Sequence, residues 1–417
     1  MDKIAIIIPR YGKDINGGLE LHAFLIADHL KDKYEFTILT TCLNDQNGKN
    51  NYPAGESIID GIRVIRFESE TTDIKVHDKA FRYLHKSRIY SGEKFRLNNF
   101  FSLLIKKIKY RPRKTQDLLF EQWIENQEPH CTKLIDYIRK NKDEYTSFIF
   151  FGYLYYLSYK GMLEVGEKSI LIPIAHNEAT LYFNGFDKTF SLPRFIMYNS
   201  LAEKQLVESL HTEAKHIKYD IAGVGFDKPV IDIEYNKDKI IDYPYFIYIG
   251  RIHEHKGCKE MIEYFEYFKQ THNSNHKLVM IGKNFMPDVK PSDDIIYLGF
   301  VDDQEKVFYL QNCEALIIPS LHESLSSVTL EAMLMGKPVL ANEGCEVLKA
   351  HITISKAGYT YCGKDEFSSQ LNKIWHLSDE NKKCIANNGN SYVEENYNWS
   401  SIVDKFVKAI QYITLKN

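Results

Sequence analysis

Two glutamates separated by seven residues flank the start of a predicted helix. Glu323 follows a short apolar run that ends at about Ile318, and Glu331 lies about one turn inside a helix expected to begin at Ser326 or Ser327. The first N–H groups of a helix have no intrahelical acceptor and suit a diphosphate. Because an ionised carboxylate accepts two hydroxyl donors, the glutamates suit a sugar or a ribose. Taken alone, the segment also fits a helix capped by Ser326 with two surface glutamates.

A second polar segment follows another predicted strand, Tyr245–Ile249. Gly250 and Arg251 come directly after this strand, and Lys256 stands five residues beyond Arg251, before a helix. Two cations at a strand end can neutralise a diphosphate as it departs. The alternative for this pair by itself is a solvated loop.

Together the two segments resemble family-4 retaining glycosyltransferases. The run from Pro319 to Pro338 is similar to their Glu-x7-Glu region, including Glu-Ala-Met-x-x-Gly-Lys-Pro-Val, and Tyr248–Gly257 is similar to their strand-Gly-Arg-x4-Lys-Gly loop. The resemblance implies a sugar transfer with retention at the anomeric carbon. It implies that Glu331 holds the ribose hydroxyls and that Glu323 contacts the sugar ring. The implied groups around the leaving diphosphate are Gly250, Arg251, Lys256, Ser324, Leu325, Ser326 and Ser327.

Two segments nearer the amino terminus extend the resemblance. The run Ile172–Glu178 is similar to a His-Asp-Glu-type turn of the family, which implies that His176 contacts a sugar hydroxyl or the acceptor. Gly17 and Gly18 match the family's glycine-rich first loop, where a missing side chain lets the backbone approach a phosphate or sugar. Taken alone, a strand-end histidine is structural and a Gly-Gly pair is a turn.

The elements that must position these residues follow an alternating pattern of apolar runs and amphipathic helical stretches. This pattern is typical of parallel sheets wrapped by helices. The expected strands are Ile4–Ile8, Phe36–Leu39, Ile62–Phe67, Phe148–Phe151, Ile170–Ile174, Phe195–Tyr198, Tyr245–Ile249, Lys277–Ile281, Ile295–Leu298, Ala315–Ile318 and Pro338–Ala341. The sequence therefore predicts an α/β protein of two doubly wound, Rossmann-like parallel-sheet domains. The resemblance implies a GT-B-like fold whose two domains face an interlobe cleft.

Four segments make up the predicted domain organisation. Residues 1–228 form an acceptor-binding domain, residues 229–244 a polar linker, and residues 245–399 the nucleotide-sugar-binding domain. Residues 400–417 form a helix that packs back on the first domain. Ligands of doubly wound sheets bind outside the carboxyl ends of the strands, so the donor is expected at that edge.

The segment 81–114 departs from this rhythm. It carries eleven Lys or Arg residues and a single acid, Glu93, around the apolar run Phe100–Ile105. One interpretation is a solvated basic insertion; the other is a peripheral contact with an anionic membrane or with a lipid-linked diphosphate acceptor.

Composition restricts the remaining function classes. A net charge of −3 over 417 residues gives no overall attraction to nucleic acid. The seven cysteines are dispersed and form no Cys-x-x-Cys pair, and no signal-peptide pattern is present. These features indicate a cytoplasmic protein, either free or peripheral at the inner face of the membrane. Neither an Asp-x-Asp nor a His-Glu-x-x-His motif is present, so neither a metal nor another cofactor is expected.

The sequence thus predicts an EC 2.4 glycosyltransferase. The predicted reaction moves a sugar from a nucleoside diphosphate sugar to a hydroxyl of a glycan or a lipid-linked oligosaccharide. Its expected role is in surface polysaccharide biosynthesis. The first alternative is another two-domain sugar-nucleotide enzyme, such as a hydrolysing epimerase. The second is a catalytically silent assembly partner.

Overall fold

The structure is a computed structural model, and it describes residues 1–12, 15, 17–44, 51–92, 113–229, 241–288 and 290–415. The chain divides into two compact units, described separately below. The first unit comprises Met1–Val224 together with Val403–Asn417, and the second comprises Gly225–Ile402. Most of the basic segment 81–114 and most of the expected linker 229–244 lie outside the described residues.

The first unit is built around an eight-stranded sheet in the order β3-β4-β2-β1-β5-β6-β7-β8. All its strand pairs are parallel except β3 with β4. The strands are β1 (Lys3–Ile7), β2 (Glu35–Thr41), β3 (Gly55–Ile59), β4 (Ile62–Phe67), β5 (Ser147–Phe151), β6 (Ser169–Ile172), β7 (Phe195–Tyr198) and β8 (Lys218–Ile221). The helices are α1 (Gly18–Leu30), α2 (Ile74–Gly92), α3 (Arg113–Ile124), α4 (Thr132–Asn141), α5 (Tyr156–Val165), α6 (Phe186–Ser191) and α7 (Leu201–Leu210).

The second unit has a six-stranded, wholly parallel sheet in the order β11-β10-β9-β12-β13-β14. Its strands are β9 (Tyr245–Ile249), β10 (Lys277–Ile281), β11 (Ile295–Gly299), β12 (Leu316–Ile318), β13 (Val339–Asn342) and β14 (Gly358–Tyr361). Its helices are α8 (Cys258–His272), α9 (Asp303–Asn312), α10 (Ser327–Leu334), α11 (Glu346–Ser355), α12 (Gly363–Trp375) and α13 (Asp379–Asn396). A last helix, α14 (Trp399–Thr414), begins in the second unit and continues into the first.

Central strands of both units are buried on both faces, which explains why they appear in the sequence as continuous apolar runs. All five residues of β5 are buried, as are all three of β12. Aromatic rings from the surrounding helices complete the first core, where Phe186 packs edge to face on both Phe120 and Trp123. The sheet therefore fixes the strand ends, and the loops after them carry the polar residues.

The strand order reverses at one point in each sheet. In the second unit, β9 lies next to β12, so the chain leaves β9 toward β10 on one side and leaves β12 toward β13 on the other. Such a reversal opens a crevice outside the carboxyl ends of the two central strands. The segments 250–257 and 319–327 follow β9 and β12 directly, so both predicted donor segments start at this crevice.

The fold class is confirmed: the structure contains two parallel-sheet α/β domains. The expected strand Ile170–Ile174 is two residues too long, because β6 ends at Ile172 and the chain turns at Pro173. Ile174 has a φ of +53°, which is incompatible with a strand.

The C-terminal helix contributes to the first unit. Within that unit, Lys405 of α14 donates from its ammonium group to the carbonyl oxygen of Ile221 at 2.6 Å. The ring of Tyr412 packs edge to face on Phe195, with the guanidinium of Arg194 over its other side. The end of α14 is thereby joined to β7 and β8.

Candidate functional site

The loop after β9 and the loop after β12 approach each other at Gly257. This glycine has a φ of +75°, and a Cβ atom placed on it would lie 2.6 Å from the carbonyl oxygen of Pro319. A residue with a side chain would therefore meet both backbone strain and a backbone clash. The Gly257 that ends the predicted Arg-x4-Lys-Gly segment is thus required for the close approach of the two loops.

The contact between these loops brings two predicted residues together. Lys256 ends a 3-10 turn, and its Nζ atom lies 2.7 Å from Oε1 of Glu323. The lysine side chain keeps 28% of its accessible surface and the glutamate 19%. This partly exposed ion pair is open to a ligand and is built from one residue of each predicted segment.

Arg251 belongs to the same loop but does not join this pair. Tyr248 Oη donates to the carbonyl oxygen of Arg251 at 2.8 Å, which fixes the backbone of the loop after β9. Gly250 precedes it and donates to the carbonyl oxygen of Ile281 at 2.9 Å. The Arg251 side chain is exposed, and across the described ranges of the chain no hydrogen bond or ion pair joins its guanidinium to Glu323.

Helix α10 begins as the sequence predicts, but its first turn is not capped in the expected way. Ser326 occupies the N-cap position, yet its side chain accepts no backbone N–H; its hydroxyl lies 2.9 Å from that of Thr329. The interpretation of Ser326 as a simple side-chain cap is therefore wrong. Ser326 is buried and has a φ of +61°. Such a left-handed conformation is uncommon for a residue other than glycine.

The residues on either side of Ser326 are held differently. Leu325 is buried, and its carbonyl oxygen accepts a hydrogen bond of 2.8 Å from Nε2 of His351. Ser324 and Ser327 are half-buried, at the surface of the same loop. The sequence analysis did not identify His351, which lies in α11 and is far from the predicted segments along the chain.

Glu331 lies one turn inside α10 and has a cationic partner that the sequence analysis also missed. Its Oε2 atom is 3.2 Å from Nζ of Lys306 in α9, which also lies 3.4 Å from Asp303. Burial lowers the pKa of Lys306, but the carboxylates of Glu331 and Asp303 outweigh it and raise the pKa above its ordinary value. Lys306 is therefore a cation at neutral pH and fixes the Glu331 carboxylate.

In the first unit, His176 lies in the turn after β6. Its Nε2 atom is 3.4 Å from Oε2 of Glu178, whose other oxygen accepts a hydrogen bond of 2.7 Å from the buried Tyr153. Asn177 accepts from the hydroxyl of Tyr182 at 2.7 Å. His176 is half-buried.

A buried carboxyl group supports this turn. Glu203 in α7 accepts the N–H of Ala175 and the N–H of Asn199, each at 2.6 Å, and its side chain is wholly buried. Burial raises its pKa to about 8, against the opposing effect of these N–H donors. The sequence signal for Glu203 was present: Ser200 and Glu203 have capping-box spacing, and the Ser200 hydroxyl accepts the Glu203 N–H at 3.1 Å.

Gly17 and Gly18 lie at the start of α1. Gly17 is the N-cap residue, and a Cβ atom placed on Gly18 would meet nothing within 4 Å. Beside them, the guanidinium of Arg10 forms an ion pair of 2.6 Å with Glu20. A side chain at Gly18 would therefore extend into open space, next to the Arg10–Glu20 ion pair.

The described residues contain neither a metal-binding cluster nor a membrane-spanning helix. No group of three or more His, Cys, Asp or Glu side chains within the described ranges could hold a metal ion. No helix in this part of the chain is both long enough and apolar enough to span a bilayer. The expectation of a metal-independent reaction stays a prediction.

Comparison with known families gives a match in the C-terminal half of the chain. The family model "Glycosyl transferases group 1" matches residues 232–410. This part of the chain is therefore similar to the glycosyl transferases group 1 family. The matched range contains Arg251, Lys256, Glu323 and Glu331, together with Lys306 and His351.

Curated relatives match segments about as long as the one that the family model matches. An uncharacterised glycosyltransferase of Methanocaldococcus jannaschii is 26% identical over 178 residues, which are 40% of this chain and 44% of the relative. The lipopolysaccharide 1,2-N-acetylglucosaminetransferase of Salmonella typhimurium is 28% identical over 183 residues, 40% of this chain and 47% of the relative. The chain thus spans less than half the length of these relatives.

Solved structures match the whole chain in fold. Sucrose-phosphate synthase from Thermosynechococcus elongatus has a TM-score of 0.68 at 13% identity, with 100% of both chains covered. The Anabaena protein HepE, solved in complex with UDP and glucose, has a TM-score of 0.65 at 13% identity, with 99% of this chain and 100% of that chain covered. The fold is therefore GT-B-like.

Proposed function

We propose that this protein is a glycosyltransferase that moves a sugar from a nucleoside diphosphate sugar to a hydroxyl group. The observation that carries the proposal is the Lys256–Glu323 pair of 2.7 Å at the point where the strand order of the second sheet reverses. The pair lies beside the start of α10, whose first N–H groups have no intrahelical acceptor. A cation and the N–H groups of a helix start at one crevice suit a diphosphate.

The ion pair explains how binding and release of the diphosphate can be coupled to the sugar. Without a donor, Lys256 and Glu323 neutralise each other. A diphosphate takes over the charge compensation of Lys256, and Glu323 can then accept hydroxyl hydrogens of the sugar ring. Arg251 on the same exposed loop is free to turn toward the phosphates, because its side chain is exposed.

Glu331 is proposed to bind the ribose of the donor. A carboxylate accepts two hydroxyl donors, and the 2′- and 3′-hydroxyls of a ribose are such a pair. Lys306 holds this carboxylate through an ion pair of 3.2 Å. The two contacts together fix one orientation of the carboxylate.

The chemical step is proposed to retain the anomeric configuration. The bond between the anomeric carbon and the diphosphate oxygen breaks, and a bond to the acceptor oxygen forms on the same face of the sugar. The leaving phosphate takes the acceptor's proton, while Arg251, Lys256 and the N–H groups of residues 324–327 stabilise its negative charge. No metal ion or other cofactor is invoked. Gly17, Gly18 and His176 of the first unit are proposed to complete the donor-sugar and acceptor contacts.

The acceptor is proposed to be a glycan or a lipid-linked oligosaccharide of a surface polysaccharide. The name of the Salmonella relative, a lipopolysaccharide transferase, supports this class. The basic segment 81–114 would bring a cytoplasmic enzyme to the anionic inner face of the membrane, where such acceptors are held.

The decisive experiment compares Lys256→Ala with Lys259→Ala. Lys259 is an exposed lysine three residues away on α8 and serves as the matched control. We expect Lys256→Ala to lower kcat/KM for transfer by on the order of 100-fold, the usual effect of removing one preorganised group from a developing anion. Lys259→Ala should leave transfer unchanged.

The assay first requires a donor, found with a panel of UDP-, GDP-, ADP- and dTDP-sugars. Release of free sugar isomers with donor alone would instead indicate an epimerase. Transfer by Lys256→Ala at the rate of the unaltered protein would remove the diphosphate role of the ion pair.

A further inference from the structure

The start of α10 contains a residue whose conformation must be imposed by its surroundings. Ser326 has a left-handed backbone with a φ of +61°, which costs free energy for a residue with a side chain. Its own carbonyl oxygen accepts the N–H of Thr329 at 3.0 Å. The carbonyl oxygen before it, that of Leu325, accepts from Nε2 of His351 at 2.8 Å. Both peptide groups around Ser326 are therefore held in place.

The hydrogen-bond chemistry assigns one tautomer to His351. A carbonyl oxygen only accepts, so Nε2 must carry the hydrogen. Nδ1 then has a lone pair and accepts from the hydroxyl of Tyr392, 2.8 Å away. The ring is buried, and burial lowers its pKa to about 4, so that it is neutral in neutral solution. His351 is therefore a single-hydrogen donor aimed at the Leu325 carbonyl.

Fixing this carbonyl also fixes the next N–H. The Leu325–Ser326 peptide is trans, and in a trans peptide the C=O and N–H bonds point in opposite directions. Because the Leu325 oxygen points to the buried His351, the N–H of Ser326 points to the opposite side of the loop. It is one of the four N–H groups in the segment that is proposed to bind the diphosphate.

We propose that His351 is a positioning residue that orients the Ser326 N–H for the donor diphosphate through its hydrogen bond to Leu325. This inference rests on the proposed function. The bond to Leu325 is the part that acts on the ligand, and the bond from Tyr392 only holds the ring. No step of transfer passes through the His351 ring itself.

Two conservative variants separate the two hydrogen bonds of the ring. The side-chain nitrogen of glutamine is three bonds from Cβ, like Nε2 of histidine, and can still reach Leu325. The side-chain nitrogen of asparagine is two bonds from Cβ, like Nδ1, and reaches only toward Tyr392. We expect His351→Gln to bind the probe like the unaltered protein and His351→Asn to bind it about tenfold more weakly, the scale of one lost hydrogen bond to a charged group.

The probe is whichever of UDP, GDP, ADP and dTDP binds the unaltered protein most tightly in calorimetry. The corresponding nucleoside lacks phosphates, so its affinity should be the same in both variants. His276→Gln and His276→Asn are matched controls, because His276 is also buried in the second unit. It precedes β10, at the amino ends of the strands and away from the crevice at their carboxyl ends. Neither control should change the affinity for the diphosphate.

Several outcomes would overturn the proposal. Unchanged affinity in His351→Asn, or equal weakening in both His351 variants, would show that the Leu325 bond does not orient the site. Should His351→Asn fail to fold, Tyr392→Phe replaces it: it leaves the Leu325 bond intact, and weaker binding there would overturn the assignment. If Lys256→Ala also binds the diphosphate normally, the proposed function fails first; if only Lys256→Ala is impaired, this inference alone is wrong.

Discussion

At the scale of single residues, the second unit holds each proposed ligand-binding carboxylate beside a lysine. Glu323 contacts Lys256 at 2.7 Å, and Glu331 contacts Lys306 at 3.2 Å. The two pairs are partly exposed, so their direct contribution to stability is small, about 0–1 kcal/mol each. Such pairs are more informative about function, because each orients a carboxylate where a hydroxyl-rich ligand can reach it.

The Glu331–Lys306 pair can be tested with a double-mutant cycle. We expect Glu331→Gln to weaken binding of the nucleoside diphosphate by about tenfold, because it halves the acceptor capacity offered to the ribose. Lys306→Met should weaken binding in the unaltered protein but have little further effect in the Glu331→Gln background. Calorimetric dissociation constants for the four proteins measure this coupling.

Asp303 provides the control for that cycle. It also lies near Lys306, at 3.4 Å, but its side chain is 94% exposed. Asp303→Asn should therefore leave the affinity unchanged. Additive effects of the Lys306 and Glu331 replacements would mean that Lys306 does not act through Glu331.

The sequence predicts those residues of the site that lie in the short segments directly after strands. Lys256 and Glu323 lie in two short segments, each directly after a strand, and their meeting follows from the strand order. Lys306 and His351 come from helices outside those segments, and only packing brings them in. The sequence does contain a signal for the start of α9, the helix that carries Lys306. Asp302 and Glu305 have capping spacing, and Asp302 accepts the Glu305 N–H at 2.8 Å.

At the scale of elements, a single carboxyl group joins β6, β7 and α7. Glu203 accepts the N–H of Ala175 after β6 and of Asn199 after β7 while it lies in the first turn of α7. The turn that follows β6 includes Ile174, a β-branched residue with a φ of +53°. Such a conformation persists only when its surroundings enforce it. Glu203 supplies part of that constraint, because it holds the N–H of Ala175, the residue between Ile174 and His176.

The buried Glu203 predicts a defined pH dependence. Its pKa is raised from the ordinary 4.5 to about 8, so the folded state keeps a proton that the unfolded state has lost at neutral pH. The stabilisation is complete below pH 4.5 and is lost as the pH rises through 8. The full shift corresponds to on the order of 5 kcal/mol of unfolding free energy.

Glu203→Gln is the test, since glutamine has the same shape and does not titrate. Urea unfolding at several pH values between 4.5 and 8.5 should show the unaltered protein losing its advantage over the variant as the pH rises. The difference between the two curves removes the contributions of other groups, including the buried His22, whose pKa is lowered to about 4. A difference that grows with pH would mean that the N–H donors keep Glu203 ionised.

All central strands were predicted from the sequence, whereas of the four edge strands only β11 was. Strands buried on both faces appear as apolar runs and were located to within a residue or two at most ends. Three strands were missed, namely β3, β8 and β14, and each lies at an edge of its sheet. Their burial is partial, and β3 is mostly exposed, so their residues carry no continuous apolar signal.

At the scale of the whole molecule, both units use one strand order. Apart from β3, the first sheet runs β4-β2-β1-β5-β6-β7-β8, which reverses between β1 and β5 as the second sheet reverses between β9 and β12. Each unit therefore has its own crevice at the carboxyl ends of its central strands. The polar residues Arg10, Gly18 and His176 follow strands of the first sheet, whereas the Lys256–Glu323 pair follows strands of the second.

Hydrogen exchange can separate the contributions of the two units to donor binding. A nucleoside diphosphate without a sugar should slow exchange in the second unit, at residues 250–258 and 322–329, because the proposed phosphate ligands, Lys256 and the N–H groups of residues 324–327, lie there. The intact nucleotide sugar should in addition slow exchange around Gly18 and His176. The control is Lys256→Ala, which should lose the first effect at the same ligand concentration. Protection by the diphosphate confined to the first unit would contradict the placement of the phosphates in the second, since bound ligand stabilises the state and the segments that it contacts.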